Sequence, residues 1–161
     1  MAKEEELQKL NEKAIKELAA RFLRRVIERT PTGNYSDIIE FDTEDGKHVK
    51  FKSKKNVGKQ GGTLKRGWTA KTQEEAEKNE TDINSFLKGM VVQKKGDTYE
   101  ITITNPVDYA EYVEYGHRTA NHKGWVEGRF MMTVSEEELR QDADKIVQKK
   151  FEAYLKRCFN D

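Results

Sequence analysis

The sequence predicts an α+β fold: a small antiparallel sheet packed by long N- and C-terminal helices, with an extra projecting β-hairpin. Three observations carry this reading. Apolar residues recur at three- and four-residue steps near both ends of the chain. Between the ends, two segments alternate apolar and polar residues around the turn pairs Asp45-Gly46 and Gly96-Asp97. No internal repeat or low-complexity linker divides the 161 residues, so a single domain over 1–161 is expected.

Residues 3–29 read as one amphipathic helix. Leu7, Leu10, Ala14, Leu18, Phe22 and Val26 form the stripe, and Ile15, Ala19, Leu23 and Ile27 widen it. Glu4, Glu5 and Glu6 at its start and Arg24, Arg25 and Arg29 near its end complement the macrodipole. Thr30-Pro31 stops it. A core helix is the first reading, and a helix packed on a neighbouring subunit is the other. The first hairpin has Ile39 and Phe41 going out and Val49 and Phe51 coming back. Two strands alone are marginal in water, so this hairpin is read as an arm that orders against a partner. With the basic loop after it, it forms an insert over 38–62. Gly67 to Thr72 is expected to be a short strand carrying a core Trp68. Glu74 to Lys78 has helical propensity. A short helix to Lys88 is capped by Thr81 or Asp82, turns Ile83, Phe86 and Leu87 inward and ends at Gly89. Met90–Gln93 and Thr98–Thr104 pair as the second hairpin, with Val92, Tyr99, Ile101 and Ile103 giving the alternation.

The chain is organised around Asn105 to Met132. Asn105-Pro106 ends the strand, since proline has no N–H for a sheet. A helix over Val107–Tyr115 places Tyr109, Tyr112 and Val113 on one face, and Gly116 closes it. His117 to Gly128 reads as a polar loop held by one buried side chain, Trp125. Phe130, Met131 and Met132 lead into the last helix. Ser135 and Glu138 have capping-box spacing. Leu139, Ala143, Ile146, Val147, Tyr154, Leu155 and Cys158 form the apolar side of that helix, which runs to about Phe159.

Charge narrows the function. Thirty Lys and Arg oppose 29 Asp and Glu, a net charge of +1, which excludes a globally basic nucleic-acid binder and a disordered acidic tail. One cysteine, Cys158, cannot form an internal disulfide, which fits a reducing compartment. No signal peptide or membrane-length apolar run is visible, so a soluble protein made in the cytoplasm, with no membrane partner, is expected. From Lys47 to Lys71 every charge is positive, including Lys50, Lys52, Lys54, Lys55, Lys59, Lys65 and Arg66. Gly58, Gly61 and Gly62 leave the middle of that run free to bend. Such a segment suits a nucleic-acid backbone, an acidic neighbour or plain solvation. It has no stacking aromatic before Trp68 and no phosphate-loop spacing. Glu74, Glu75, Glu77, Glu80 and Asp82 are an acidic counterweight, paired within the chain or head to tail between identical subunits.

Catalytic and metal chemistry find no constellation. His117 and His122 lie five apart without a cysteine or carboxylate at ligand spacing, and His48 is distant. Ser36, Ser53, Ser85 and Ser135 lack a nucleophile-elbow context. Glu111, Glu114 and Glu127 read as a solvated face. No catalytic residue, metal, cofactor or enzymatic activity is therefore expected.

Three passages carry a resemblance. They are Thr30-Pro31 with Thr32-Gly33, then Gly62 to Trp68 (GTLKRGW), then Asn105 to His117 (NPVDYAEYVEYGH), followed by Gly124 to Met131 (GWVEGRFM). Together they resemble the tail-component family of tailed phages, including PBSX-type defective prophages: small neck and head–tail joining proteins. The chain departs from the simple pattern through the 38–62 insert and a second charged insertion around Thr72–Gly89. The resemblance implies an α+β fold with a small twisted sheet and an assembly role. It implies ring-forming contacts between copies and contacts with adjoining neck, connector or tail-terminator proteins, with DNA passing through the lumen as a further partner. The location implied is the virion, at the neck or tail, and the host cytoplasm during assembly. On this reading Tyr112, Tyr115, His117, Arg118 and Trp125 shape an interface loop, and the basic run of 50–71 faces DNA or an acidic partner. The alternative is a stand-alone nucleic-acid-binding module using Lys47–Lys71.

Overall fold

Two long helices frame the chain in the computed structural model, which describes residues 2–33, 38–42, 46–52, 61–78 and 82–160. The first, α1, is Ala2–Arg29, and the last, α6, is Met131–Asn160. At 1.5 Å per residue each is more than ~40 Å long. They run antiparallel. Arg29 meets Glu138, Arg25 meets Asp142 at 2.6 Å, and Glu17 meets Lys150 at 2.6 Å farther out.

The core sits at one end of this pair. It gathers Leu23 and Val26 of α1, Leu64 of α2 (Thr63–Gly67), Trp68 and Ala70 just beyond, Ala76 of α3 (Gln73–Glu77), Val107 and Met131. Helix α4 (Ile83–Gly89) adds Phe86 and Leu87 at its margin. Away from the core the two helices pack along each other. Leu7, Val147, Phe151 and Phe159 there remain exposed, and Cys158 is exposed rather than packed.

Strands are short and pair in twos, all antiparallel. β1 (Ile38–Asp42) pairs with β2 (His48–Lys52), β3 (Gln93–Lys95) with β4 (Thr98–Glu100), and β5 (Gly116–Arg118) with β6 (Trp125–Glu127). The α+β expectation of long terminal helices, antiparallel strands and an extra hairpin is met. The extra hairpin leaves and rejoins the body at one place. Gly61 lies so close to Gly33 that a Cβ on it would overlap the Gly33 carbonyl.

Several local expectations change. The segment around Trp68 is not a strand: Gly62, at φ 92°, opens the turn of α2, and Trp68 follows its last residue. Its indole is buried as expected. Asp82 caps α4 by accepting from the Ser85 N–H, whereas Thr81 lies outside the described residues. The second hairpin forms, but its ladder stops at Glu100, and 101–104 continue without a partner strand among the described residues. The helix expected over 107–115 is shorter, α5 being Ala110–Tyr115. Ser135 does not cap α6. It lies a turn inside, fully buried, and its hydroxyl donates back to the Met131 carbonyl at 2.6 Å. Glu138, freed of a capping role, pairs with Arg29.

The ion pairs between the long helices set a pH dependence. Hydrogen bonds from Lys150 first and Arg21 second hold the Glu17 carboxyl below its ordinary range. The Arg25 hydrogen bond does the same for Asp142. A depressed folded-state value means stabilisation that is present above the ordinary carboxylate pKa and lost as pH falls through the lowered one. The melting temperature should therefore fall as pH drops below about 4. A Glu17→Gln/Asp142→Asn variant, followed by circular dichroism, should lose part of that dependence; an unchanged acid limb would show that the pairs do not contribute.

Candidate assembly interface

Three separate stretches of sequence are tied together at the core. Thr30, at the end of α1, is buried and donates its hydroxyl to the Val26 carbonyl at 2.5 Å. The same oxygen accepts the Trp68 indole N–H at 2.8 Å. A buried indole N–H left unpaired would cost about 1–3 kcal/mol, so this bond fixes where α2 stands on α1. Asn105 then joins α2 to the segment entering α5. Its Nδ2 donates to the Leu64 carbonyl at 2.9 Å, and its Oδ1 accepts from the Val107 N–H at 3.2 Å. Gly67 is required beneath it, since a Cβ there would overlap Asn105 Oδ1 and press on Val107.

Glu114 of α5 carries the next link. Its carboxylate is buried and accepts from the Met132 N–H and Thr133 N–H, each at 2.9 Å, and from the Thr133 hydroxyl at 2.7 Å. These are first-turn donors of α6 that have no partner inside their own helix. A carboxylate there also meets the positive end of the helix dipole. Glu114 is thus the cap of α6, supplied from another helix, and not the solvated residue expected. Sequence spacing could not reveal it, because the donors lie 18 and 19 residues away.

The chain after α5 folds back on it. Arg129 N–H donates to the Val113 carbonyl at 2.7 Å and Phe130 N–H to the Glu114 carbonyl at 3.0 Å, closing the end of the short helix. The expected polar loop is therefore the β5–β6 hairpin with a tight tip. At the tip Thr119 N–H donates to the Gly124 carbonyl, and Gly124 N–H to Thr119 Oγ1, both at 3.0 Å. Asn121 Oδ1 accepts from Thr119 Oγ1 at 2.6 Å and from Lys123 N–H at 3.1 Å.

On this frame the predicted loop residues do come together. Tyr112 and His117 meet edge to face at 6.0 Å, with His117 Nδ1 3.4 Å from the Tyr112 carbonyl oxygen. Arg118 stands opposite Trp125 across the hairpin. Trp125 is 59% exposed, which corrects the expectation that it anchors the loop from within. The anchoring is done by Glu114 and the backbone instead. Tyr112, Tyr115, Val126 and Phe130 are exposed as well, so this end of the molecule presents a largely aromatic surface.

The basic residues divide. Lys50 and Lys52 stand on the exposed strand β2, and Lys54, Lys55 and Lys59 lie outside the described residues. Lys65 is half-buried on α2. Arg66 is turned inward. Its guanidinium donates to the Ala76 carbonyl at 2.6 Å, the Gly61 carbonyl at 3.0 Å and Thr63 Oγ1 at 3.4 Å, clamping α3 to the base of the insert. Among the described residues no group of three or more His, Cys, Asp or Glu could hold a metal ion. No helix among them is long and apolar enough to cross a membrane.

The tied stretches are the passages that carried the resemblance. The family described as "Bacteriophage HK97-gp10, putative tail-component" matches residues 1–116, from α1 through every core residue but Met131. The chain belongs to this HK97-gp10-like family. Its role is that of a phage structural protein, a tail component. Neither a curated relative nor a solved structure matches the chain. The matched residues end at Gly116, the first residue of β5.

Two substitutions separate frame from surface. Glu114→Ala should cost about 1–3 kcal/mol in urea unfolding, because it strands buried donors of α6. Trp125→Ala, at an exposed position, should stay within about 0.5 kcal/mol of the parent. A large loss at Trp125 would show that the ring holds the hairpin after all.

Proposed function

We propose that this tail component acts by contact rather than catalysis, at the neck or head–tail junction or in tail completion, as a subunit of a ring. The observation that carries the reading is the exposed aromatic surface of α5 and the β5–β6 hairpin, tied to the core by Asn105 and Glu114. Soluble monomers rarely display several neighbouring large apolar side chains without a partner for them. Identical subunits joined head to tail close into rings when their rotation permits. Tyr112, Tyr115, His117, Arg118 and Trp125 are proposed to face a neighbouring copy or an adjoining neck, connector or tail-terminator protein. The insert is proposed to face an acidic partner or DNA in the lumen. The working location is then the virion, after assembly in the host cytoplasm.

A second reading, a free nucleic-acid-binding module, has the uniform positive charge of Lys47–Lys71 in its favour. Salt separates the two. A DNA binder loses affinity steeply between low and physiological salt, whereas the assembly subunit should bind DNA weakly at any salt when free.

Replacing Lys54, Lys55 and Lys59 by Glu should block particle assembly in a complementation assay while circular dichroism of the purified protein stays unchanged. Normal particle yield from that variant would remove the insert's charge from the function.

A further inference from the structure

Phe130 stands where its backbone does not favour it. Its φ is 48°, in the left-handed region, which is costly for any residue with a Cβ and an outlier for a bulky one. Both of its backbone polar groups are committed there. The Phe130 N–H donates to the Glu114 carbonyl, and the Phe130 carbonyl accepts the first bond of α6 from the Val134 N–H, each at 3.0 Å. Position 130 is thus the flanking residue at the start of α6, where Asn, Asp, Ser, Thr or Gly is favoured. Asn and Gly would also tolerate the positive φ. The capping itself is supplied by Glu114, so the side chain at 130 has no part in starting the helix.

The ring adds little to the subunit's own packing. It is 44% exposed, whereas Met131 beside it is 1% exposed. It is not among the apolar side chains packed on the core cluster, and no aromatic ring among the described residues meets it. It lies at the same end of the molecule as the exposed Tyr115, Trp125 and Val126. An unfavourable backbone conformation kept under a side chain that the monomer does not bury is a mark of a contact site, where a partner uses the side chain. Charge indicates the class of partner. The exposed charges of 108–130 balance, Asp108, Glu111 and Glu127 against Arg118, Lys123 and Arg129. A phosphate backbone gains little from such a surface, and a protein fits it.

We propose that Phe130 is a contact residue of the assembly surface, its ring held out for an apolar pocket on the protein that adjoins this surface in the particle. This rests on the reading that the surface of α5 and the β5–β6 hairpin is an interface. It adds to that surface a residue that sequence periodicity does not single out, because the evidence for it is a backbone angle.

Three substitutions in the full chain test it. Phe130→Ala removes the ring, Phe130→Gly removes the ring and the strain, and Phe130→Tyr keeps an aromatic ring. Melting followed by circular dichroism should place Phe130→Ala within about 4 °C of the parent, and Phe130→Gly about 2–4 °C above Phe130→Ala. In complementation and in co-sedimentation with purified tails, the Ala and Gly variants should fall by roughly tenfold or more, and the Tyr variant should stay near the parent. A larger loss of melting temperature in Phe130→Ala would overturn the proposal, because the ring would then hold the fold. A Gly variant no more stable than the Ala variant would overturn it by removing the strain, and a Gly variant that assembles normally would overturn it by removing the contact. Binding of duplex DNA by the parent that is lost in Phe130→Gly would assign the ring to nucleic acid instead. A parent chain that does not sediment with tails would overturn the interface reading itself, whereas a parent and a Gly variant retained equally would overturn only the role of Phe130.

Discussion

The buried bond from Trp68 to Thr30 is the tie on which the rest of the structure depends. Helix α1 can end at Thr30 in many orientations relative to α2. The single indole N–H, taken out of water and given only one acceptor, selects one. Once α2 is fixed, Leu64 presents its carbonyl to Asn105, Asn105 turns the chain into α5, and Glu114 of α5 starts α6. Each step hands a polar group from one stretch of chain to the next inside an apolar setting. A lean core, a cluster of eight buried apolar residues among the described ones, is enough because these bonds give it direction.

That sequence of ties explains the division between frame and projections. The core end is small and directional. Away from it run two long helices held by Arg25–Asp142 and Glu17–Lys150, a strand pair rooted at Gly33 and Gly61, and a hairpin closed by its own tip. Ion pairs that keep part of their surface in solvent, as these do, add modestly one by one to stability. They keep the helices aligned while leaving apolar side chains such as Phe151 and Phe159 in solvent.

Much of this is legible in the sequence. Both long helices follow from stripes at helical spacing, and the hairpins follow from Asp45-Gly46 and Gly96-Asp97 between alternating segments. The passages marked by Thr30, Trp68 and Asn105 point to the family without any knowledge of the fold. What escapes is long-range. Ser135 and Glu138 have the spacing of a capping box, but a buried acid on another helix takes the capping role, and periodicity carries no sign of a donor 18 residues off. Trp125 reads as an anchor because tryptophan is usually buried; its exposure follows from a turn already satisfied by backbone and Asn121. Arg66 reads as one more cation of the basic run, yet its three acceptors are neutral oxygens of the protein's own fold.

The protein is proposed to work as a part fitted to copies of itself and to other virion proteins. Its most direct test is the native mass of the purified protein, measured alone and after incubation with purified tails. The expected result is a fixed small multiple of the 18.7 kDa subunit that stays with the tails through sedimentation. A protein that remains a single subunit under both conditions, and is left behind by the tails, would contradict it.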